Sequence, residues 1–259
     1  MRDQEKNGGR NREPRTARHE NGRPINSVYL FGDFQIFSRT GEEMVQRLPP
    51  KVQELFLMML TSSFKPFSYI TNKSINSHLW PDLSLEQAKN NRSVSVNKLR
   101  SVLEDVDGIT ICCDKAMWWV ELDSRIYCDY QRLLSILSSR NLTHAALSEL
   151  NMILSRGEFM KEHDYDWFET GRMRITDAAL HKLKEHLLKQ KEDSPNRALI
   201  AESILHLDPL SESALKVKIQ FLVRDGEHTL ARATFEHFRK EFQRIYGTEL
   251  KKTFNDMLK

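Results

Sequence analysis

The spacing of apolar residues changes along this chain and predicts its elements in order. Residues 27–38 (SVYLFGDFQIFS) form an aromatic and β-branched run, which predicts a strand with Gly32-Asp33 as a bulge or turn. From Pro49-Pro50 the apolar spacing lengthens to three and four. Val52, Leu55, Phe56, Met59 and Leu60 predict a helix with proline in its first turn, broken by Lys65-Pro66-Phe67. Thr71 is the expected N-cap of a second helix carrying Ile75, His78, Leu79 and Trp80, and Pro81-Asp82 ends it. Ser84 caps a longer helix, 85–103, with Leu85, Ala88, Val96, Leu99 and Leu103 on one side. After Asp107-Gly108, two short strands, 109–113 and 117–122, flank a turn at Asp114-Lys115-Ala116. Strand, helix, helix, long helix and hairpin is the order of a winged helix-turn-helix, here over 27–123.

From Asp123 the pattern turns helical, and no strand is expected. Helices are predicted over 128–137, 143–154, from Tyr165-Asp166-Trp167 to about Gln190, from Ser194-Pro195 to Leu207, over 211–224 and over 227–246. Ala201 and Phe235, and Ile204 and Phe238, repeat at a separation of 34 residues, the period of tetratricopeptide helix pairs. The expected fold class is therefore mainly α with a small β component. A winged helix-turn-helix at 27–123 precedes an all-α tetratricopeptide-like domain at 124–259. Residues 1–26, rich in Arg, Asn, Gly and Glu, bury no core and read as a disordered tail or linker.

The outer side of the 85–103 helix changes the picture. It carries Asn90, Ser93, Val94, Asn97, Lys98 and Ser101, with Lys89 and Arg100 on the flank and no acid between Glu86 and Glu104. A solvated helix face is usually rich in both Glu and Lys. This one suits a DNA major groove: Asn pairs with adenine, Lys and Arg with guanine or phosphate, and Val meets a thymine methyl. Charge tempers that reading. The whole chain is +3, yet residues 27–123 hold ten Lys/Arg against twelve Asp/Glu, a net of −2. Four of those ten cations, Lys89, Arg92, Lys98 and Arg100, sit on the one helix, so any electrostatic footprint is local.

The stretch NSHLWPDLSLEQAKNNRSVSVNKLRSVLEDVDGITI resembles the DNA-binding domain of OmpR/PhoB-type regulators, and most nearly the branch found in SARP-type transcriptional activators. LWPD, AKNN followed by VxVNKLRxxLED, and the hairpin after Asp-Gly carry the resemblance. In that family the long helix enters the major groove and the wing reaches the minor groove or backbone. Carried over position by position, the resemblance implies Asn91, Val94, Ser95, Asn97, Lys98 and Arg100 as the contact set. Lys115 at the wing tip is a candidate phosphate contact. The helical wheel agrees on Val94, Asn97 and Lys98 and supports Arg100. It puts Asn91 at an edge and Ser95 nearer the core. Arg92 departs from the pattern, standing on the side of Val96 and Leu99 where an apolar residue is expected. Either the first turns are displaced or this arginine snorkels out to phosphate.

The second half, with GEFMKEHDYDWFETGRMRI and AESILHLDPLSESALKVKIQFLVRDGEHTLARATFEHFRKEF, looks like the bacterial transcriptional activation domain that follows the winged helix in SARP-type proteins. The resemblance implies a cytoplasmic, nucleoid-associated transcription activator that binds double-stranded DNA at direct repeats as side-by-side dimers. Its helical domain would mediate self-association or contact RNA polymerase.

Enzyme chemistry is not expected, nor a cofactor. The chain has no Gly-rich phosphate loop, HExxH or GxSxG. Cys112, Cys113 and Cys128 lack metal-ligand spacing, and His181, His186, His206, His228 and His237 scatter over helices. Asp164 and Asp166 are better placed to complement a helix dipole than to act as paired carboxylates. No apolar run approaches the ~20 residues of a membrane span, and the first residues do not read as a secretory signal. No acidic phosphorylation pocket precedes the winged helix, so activation by aspartate phosphorylation within this chain is not expected. The competing reading is a helical-repeat scaffold whose winged helix binds protein, and the acidic balance of 27–123 favours it.

Overall fold

A computed structural model of the chain describes residues 24–64, 69–161, 163 and 165–259. The expected tail up to residue 23, the helix-breaking Lys65-Pro66-Phe67 and Asp164 lie outside the described residues. The chain divides into two units. Among the described residues, the first holds those up to Val28 and Gln35–Cys128, and the second holds Tyr29–Phe34 and Asp129–Lys259.

In the first unit, β1 (Ser27–Tyr29) lies between β2 (Gln35–Phe37) and β6 (Tyr127–Cys128). Strand β6 runs parallel to β1, with Ser27 opposite Tyr127 and Val28 opposite Cys128. The run 27–38 makes two strands on either side of Gly32-Asp33, as the turn alternative expects, and Cys128, expected in a helix, is in a strand. The junction between units falls after Cys128 rather than after Asp123 because of that pairing.

Helix α1 (Pro50–Ser62) is buried from Leu55 through Leu60, so it is enclosed on every side rather than along one stripe. A strand not foreseen in the sequence, β3 (Ile70–Thr71), leads into α2 (Asn72–Leu79). The Thr71 hydroxyl caps α2, accepting from the Ser74 N–H at 3.2 Å. Then come α3 (Leu85–Leu103), β4 (Ile109–Asp114) and β5 (Met117–Leu122). Strand β5 pairs antiparallel with both β3 and β4, which makes a three-stranded wing. Its two-residue turn puts Lys115 and Ala116 at positive φ, 46° and 68°.

The second unit is helical among its described residues from α4 (Asp129–Ser138) through α5 (His144–Leu154), α6 (Asp166–Lys189), α7 (Pro195–Leu207), α8 (Glu212–Arg224) and α9 (His228–Tyr246) to α10 (Phe254–Leu258). Ala201 and Ile204 on α7 and Phe235 and Phe238 on α9 are all buried. The 34-residue register therefore marks equivalent inward positions on alternate helices.

The segment Tyr29–Phe34, far upstream in sequence, completes this unit. The Asp129 carboxylate accepts the Leu30 N–H at 2.8 and 3.0 Å and the Phe31 N–H at 3.0 Å. Burial pushes that carboxyl up to about 7, against the pull of these donors and of the Arg156 guanidinium. The Phe31 ring meets Phe159 at 4.9 Å between centroids, and Phe159 in turn meets Tyr130 at 4.8 Å and Phe168 at 5.1 Å. Gly32, with φ of 71°, passes so close to Arg156 that a Cβ there would lie 2.3 Å from its carbonyl oxygen.

Candidate nucleic-acid interface

Helix α3 is started by a reciprocal cap. The Ser84 hydroxyl accepts the Gln87 N–H at 3.3 Å, and the Gln87 side chain accepts the Ser84 N–H at 3.1 Å. Ala88, Val96, Leu99 and Leu103 are buried as the spacing predicts. Leu85 is not: it is 83% exposed, because residues 81–87 all stand clear of the core and give the first turn nothing to pack against. With Trp80, Leu83 and Lys89 it borders a surface groove between α2 and α3.

Asn90, Asn91, Ser93, Val94, Asn97, Lys98 and Ser101 are exposed. Asn90, Val94, Asn97 and Ser101 follow at intervals of four, three and four, which aligns them along one face, with Asn91 and Lys98 beside it. Val94 is 68% exposed, an apolar side chain presented to solvent in the middle of an amide-rich row. Ser93 is turned back on its own helix, its hydroxyl donating to the Lys89 carbonyl at 3.1 Å.

Ser95 of the expected contact set, and Arg92 with its expected reach to phosphate, are placed elsewhere. Ser95 is buried on the core side, as the wheel suggested. Arg92 is buried too, at 7% exposure. Its Nη1 donates to Asn76 Oδ1 on α2 at 2.5 Å, and burial lowers its pKa from the usual arginine value. The first turns are not displaced, and the arginine does not reach outward: it braces α3 against α2. Arg100 is exposed but anchored, donating from Nη2 to the Ile111 carbonyl at 3.1 Å, which ties α3 to the wing. Lys115 is exposed at the wing tip.

The wing is fixed to the helices at its other edge. The Asn72 N–H donates to the Ala116 carbonyl at 2.9 Å, the Trp118 indole N–H to Asn72 Oδ1 at 2.6 Å, and the Val120 N–H to the Ser63 hydroxyl at 2.7 Å. The start of α2, where Lys73 is exposed, is thereby held beside the wing turn. Sequence reasoning missed Lys73 and Asn76. Nothing in linear spacing pairs Asn76 with Arg92, sixteen residues on.

Among the described residues no group of three or more His, Cys, Asp or Glu could hold a metal ion, and no helix is long and apolar enough to cross a membrane. No protein-family model and no curated protein matches the chain. A solved structure of Mycobacterium tuberculosis EmbR, in complex with a low-affinity phosphopeptide, is similar in fold, with a TM-score of 0.51 and 15% sequence identity. The match covers 90% of this chain and 63% of EmbR, so the chain spans less than two thirds of that protein. The likeness is one of fold: a winged helix-turn-helix followed by a tetratricopeptide-like helical unit.

Proposed function

We propose that the protein is a sequence-specific DNA-binding transcription regulator whose α3 helix lies in the major groove. The observation that carries this reading is the outward face of α3. Asn90, Asn91, Val94, Asn97 and Lys98 are exposed there, without an acid between Glu86 and Glu104, on a helix braced by Arg92 and Arg100. In this reading Asn97 and Asn91 contact base edges, Val94 a thymine methyl, Lys98 a guanine or phosphate, and Lys115 the backbone beside the wing. Arg100 adds a phosphate contact from the groove margin. The helical unit mediates self-association or contacts RNA polymerase, and a side-by-side dimer on direct repeats is the expected assembly.

The test begins with selection of binding sites from genomic DNA by the intact chain. A chain carrying Asn97→Ala and Lys98→Ala then binds the selected site at least about tenfold more weakly, with its helical circular dichroism unchanged. Wild-type affinity in that double variant refutes the assignment of α3.

The scaffold reading keeps one observation of its own: Leu83 and Leu85 are exposed beside the α2–α3 groove of a unit whose net charge is −2 over 27–123. It requires that the chain show no salt-dependent DNA binding, since loss of affinity with rising salt is the mark of phosphate contacts.

A further inference from the structure

The helical unit holds a cavity of about 180 Å³ that the nucleic-acid reading does not use. Its lining is sorted by polarity and burial. Phe31, Leu133, Leu154, Phe159 and Ala179 are buried and make an apolar floor. Glu158 and His206 are exposed at the margin. Thr176, one helical turn before Ala179 on α6, is half-buried. Water gains little over such a floor, because it needs two to four polar partners. A cavity of roughly 150 Å³ lined by apolar groups takes a benzene-sized molecule instead, and the Phe31 and Phe159 rings favour an aromatic one.

The charged members of the lining disfavour ions of either sign. Glu158 opposes an anion, and the Arg172 guanidinium opposes a cation. Arg172 is itself engaged, its Nη2 donating to the main-chain carbonyls of Met160 at 3.2 Å and His163 at 2.7 Å. An ionised group carried onto an apolar floor also forfeits its hydration. A neutral hydroxyl meets none of these costs. The Thr176 hydroxyl both donates and accepts. Partial burial of the His206 ring lowers its pKa below the usual 6.5, so at pH 7 it offers one donor nitrogen and one acceptor.

We propose that this cavity binds a neutral aromatic alcohol of about benzyl alcohol size, its ring against Phe31, Leu133 and Phe159 and its hydroxyl at Thr176 and His206. The apolar body fills the floor while the hydroxyl stays among polar groups at the margin. The site belongs to the helical unit and does not depend on the DNA-binding reading.

The test uses the intact chain at pH 7 with three probes of nearly equal size: benzyl alcohol, benzoate and benzylammonium. Titration calorimetry and thermal denaturation are the readouts. Benzyl alcohol is expected to bind saturably, with a Kd on the order of 1 mM or tighter, and to raise the melting temperature. Benzoate and benzylammonium each bind at least about tenfold more weakly, because their charge is desolvated without a partner. Ala179→Leu fills the floor from α6, and the folded variant loses benzyl alcohol binding by at least about tenfold. If that variant does not fold, the ratios among the three probes on the wild-type chain decide alone. Failure of benzyl alcohol to saturate, a charged probe that binds as tightly, or unchanged binding in folded Ala179→Leu overturns the proposal.

Discussion

Arg92→Met separates the buried brace from a reserve phosphate contact. Methionine keeps the unbranched stem that packs beside Val96 and Leu99 and removes only the guanidinium. The loss is one charge-assisted hydrogen bond, to Asn76 Oδ1 at 2.5 Å, worth about 1.5–3 kcal/mol. Against it stands relief from keeping a cation at 7% exposure with no carboxylate partner among the described residues, a desolvation penalty of similar size or larger. Asn76 is only half-buried and borders a surface groove, so its freed oxygen is rehydrated. The two effects nearly cancel. Stability by urea denaturation should change by no more than about 1 kcal/mol, and affinity for the selected DNA site by no more than about threefold. Lys98→Ala, measured beside it by fluorescence anisotropy across a salt series, should lose affinity and about one unit of salt slope. If Arg92→Met loses as much affinity and slope as Lys98→Ala, Arg92 leaves its seat to reach phosphate, and the brace argument fails.

Two further outcomes concern the helical unit. Gly32→Ala places a Cβ where only 2.3 Å separates it from the Arg156 carbonyl oxygen, at a φ of 71°. A loss of at least about 2 kcal/mol in urea denaturation is expected, and a neutral result would show that the 29–34 segment shifts freely. His186 is buried, its Nε2 has no hydrogen-bond partner among the described residues, and burial together with Lys182 and Lys189 lowers its pKa below the usual 6.5. The unfolded chain therefore binds the proton more readily, so the neutral ring's contribution is present above about pH 6.5 and is lost as pH falls below it. His186→Leu should flatten the fall in urea midpoint between about pH 7.5 and 5.5, and an unchanged slope would assign the acid sensitivity elsewhere.

Much of the architecture is legible in local chemistry. Thr71 and Ser84 announce their helices because a short hydroxyl before an apolar period is a local device, and both caps form. The inward stripe from Ala88 to Leu103 follows from spacing alone, and so does the 34-residue register of α7 and α9. Leu85 fails that logic, since periodicity tells which side a residue faces but not whether anything lies opposite. Arg92 fails it for another reason: a charged residue at a core position finds its partner on α2 across a turn, a relation that no helical wheel contains. The short strands β3 and β6 carry no pattern of their own and exist through pairing with distant partners. Asp129 stands in the first turn of α4, and its role depends on backbone donors 99 and 98 residues upstream.

That last link bears on how the chain is made and how it can be cut. During synthesis, Leu30 and Phe31 leave the ribosome long before Asp129 and Phe159, so the segment that completes the helical unit must wait through the whole winged-helix sequence before its seat exists. A fragment begun at Asp129 would carry the seat without its occupant, leaving Phe159 and Tyr130 stripped of the Phe31 ring. The helical half of this protein is therefore not a cassette that can be lifted out at the junction and joined to another domain. It travels with its upstream strand or not at all.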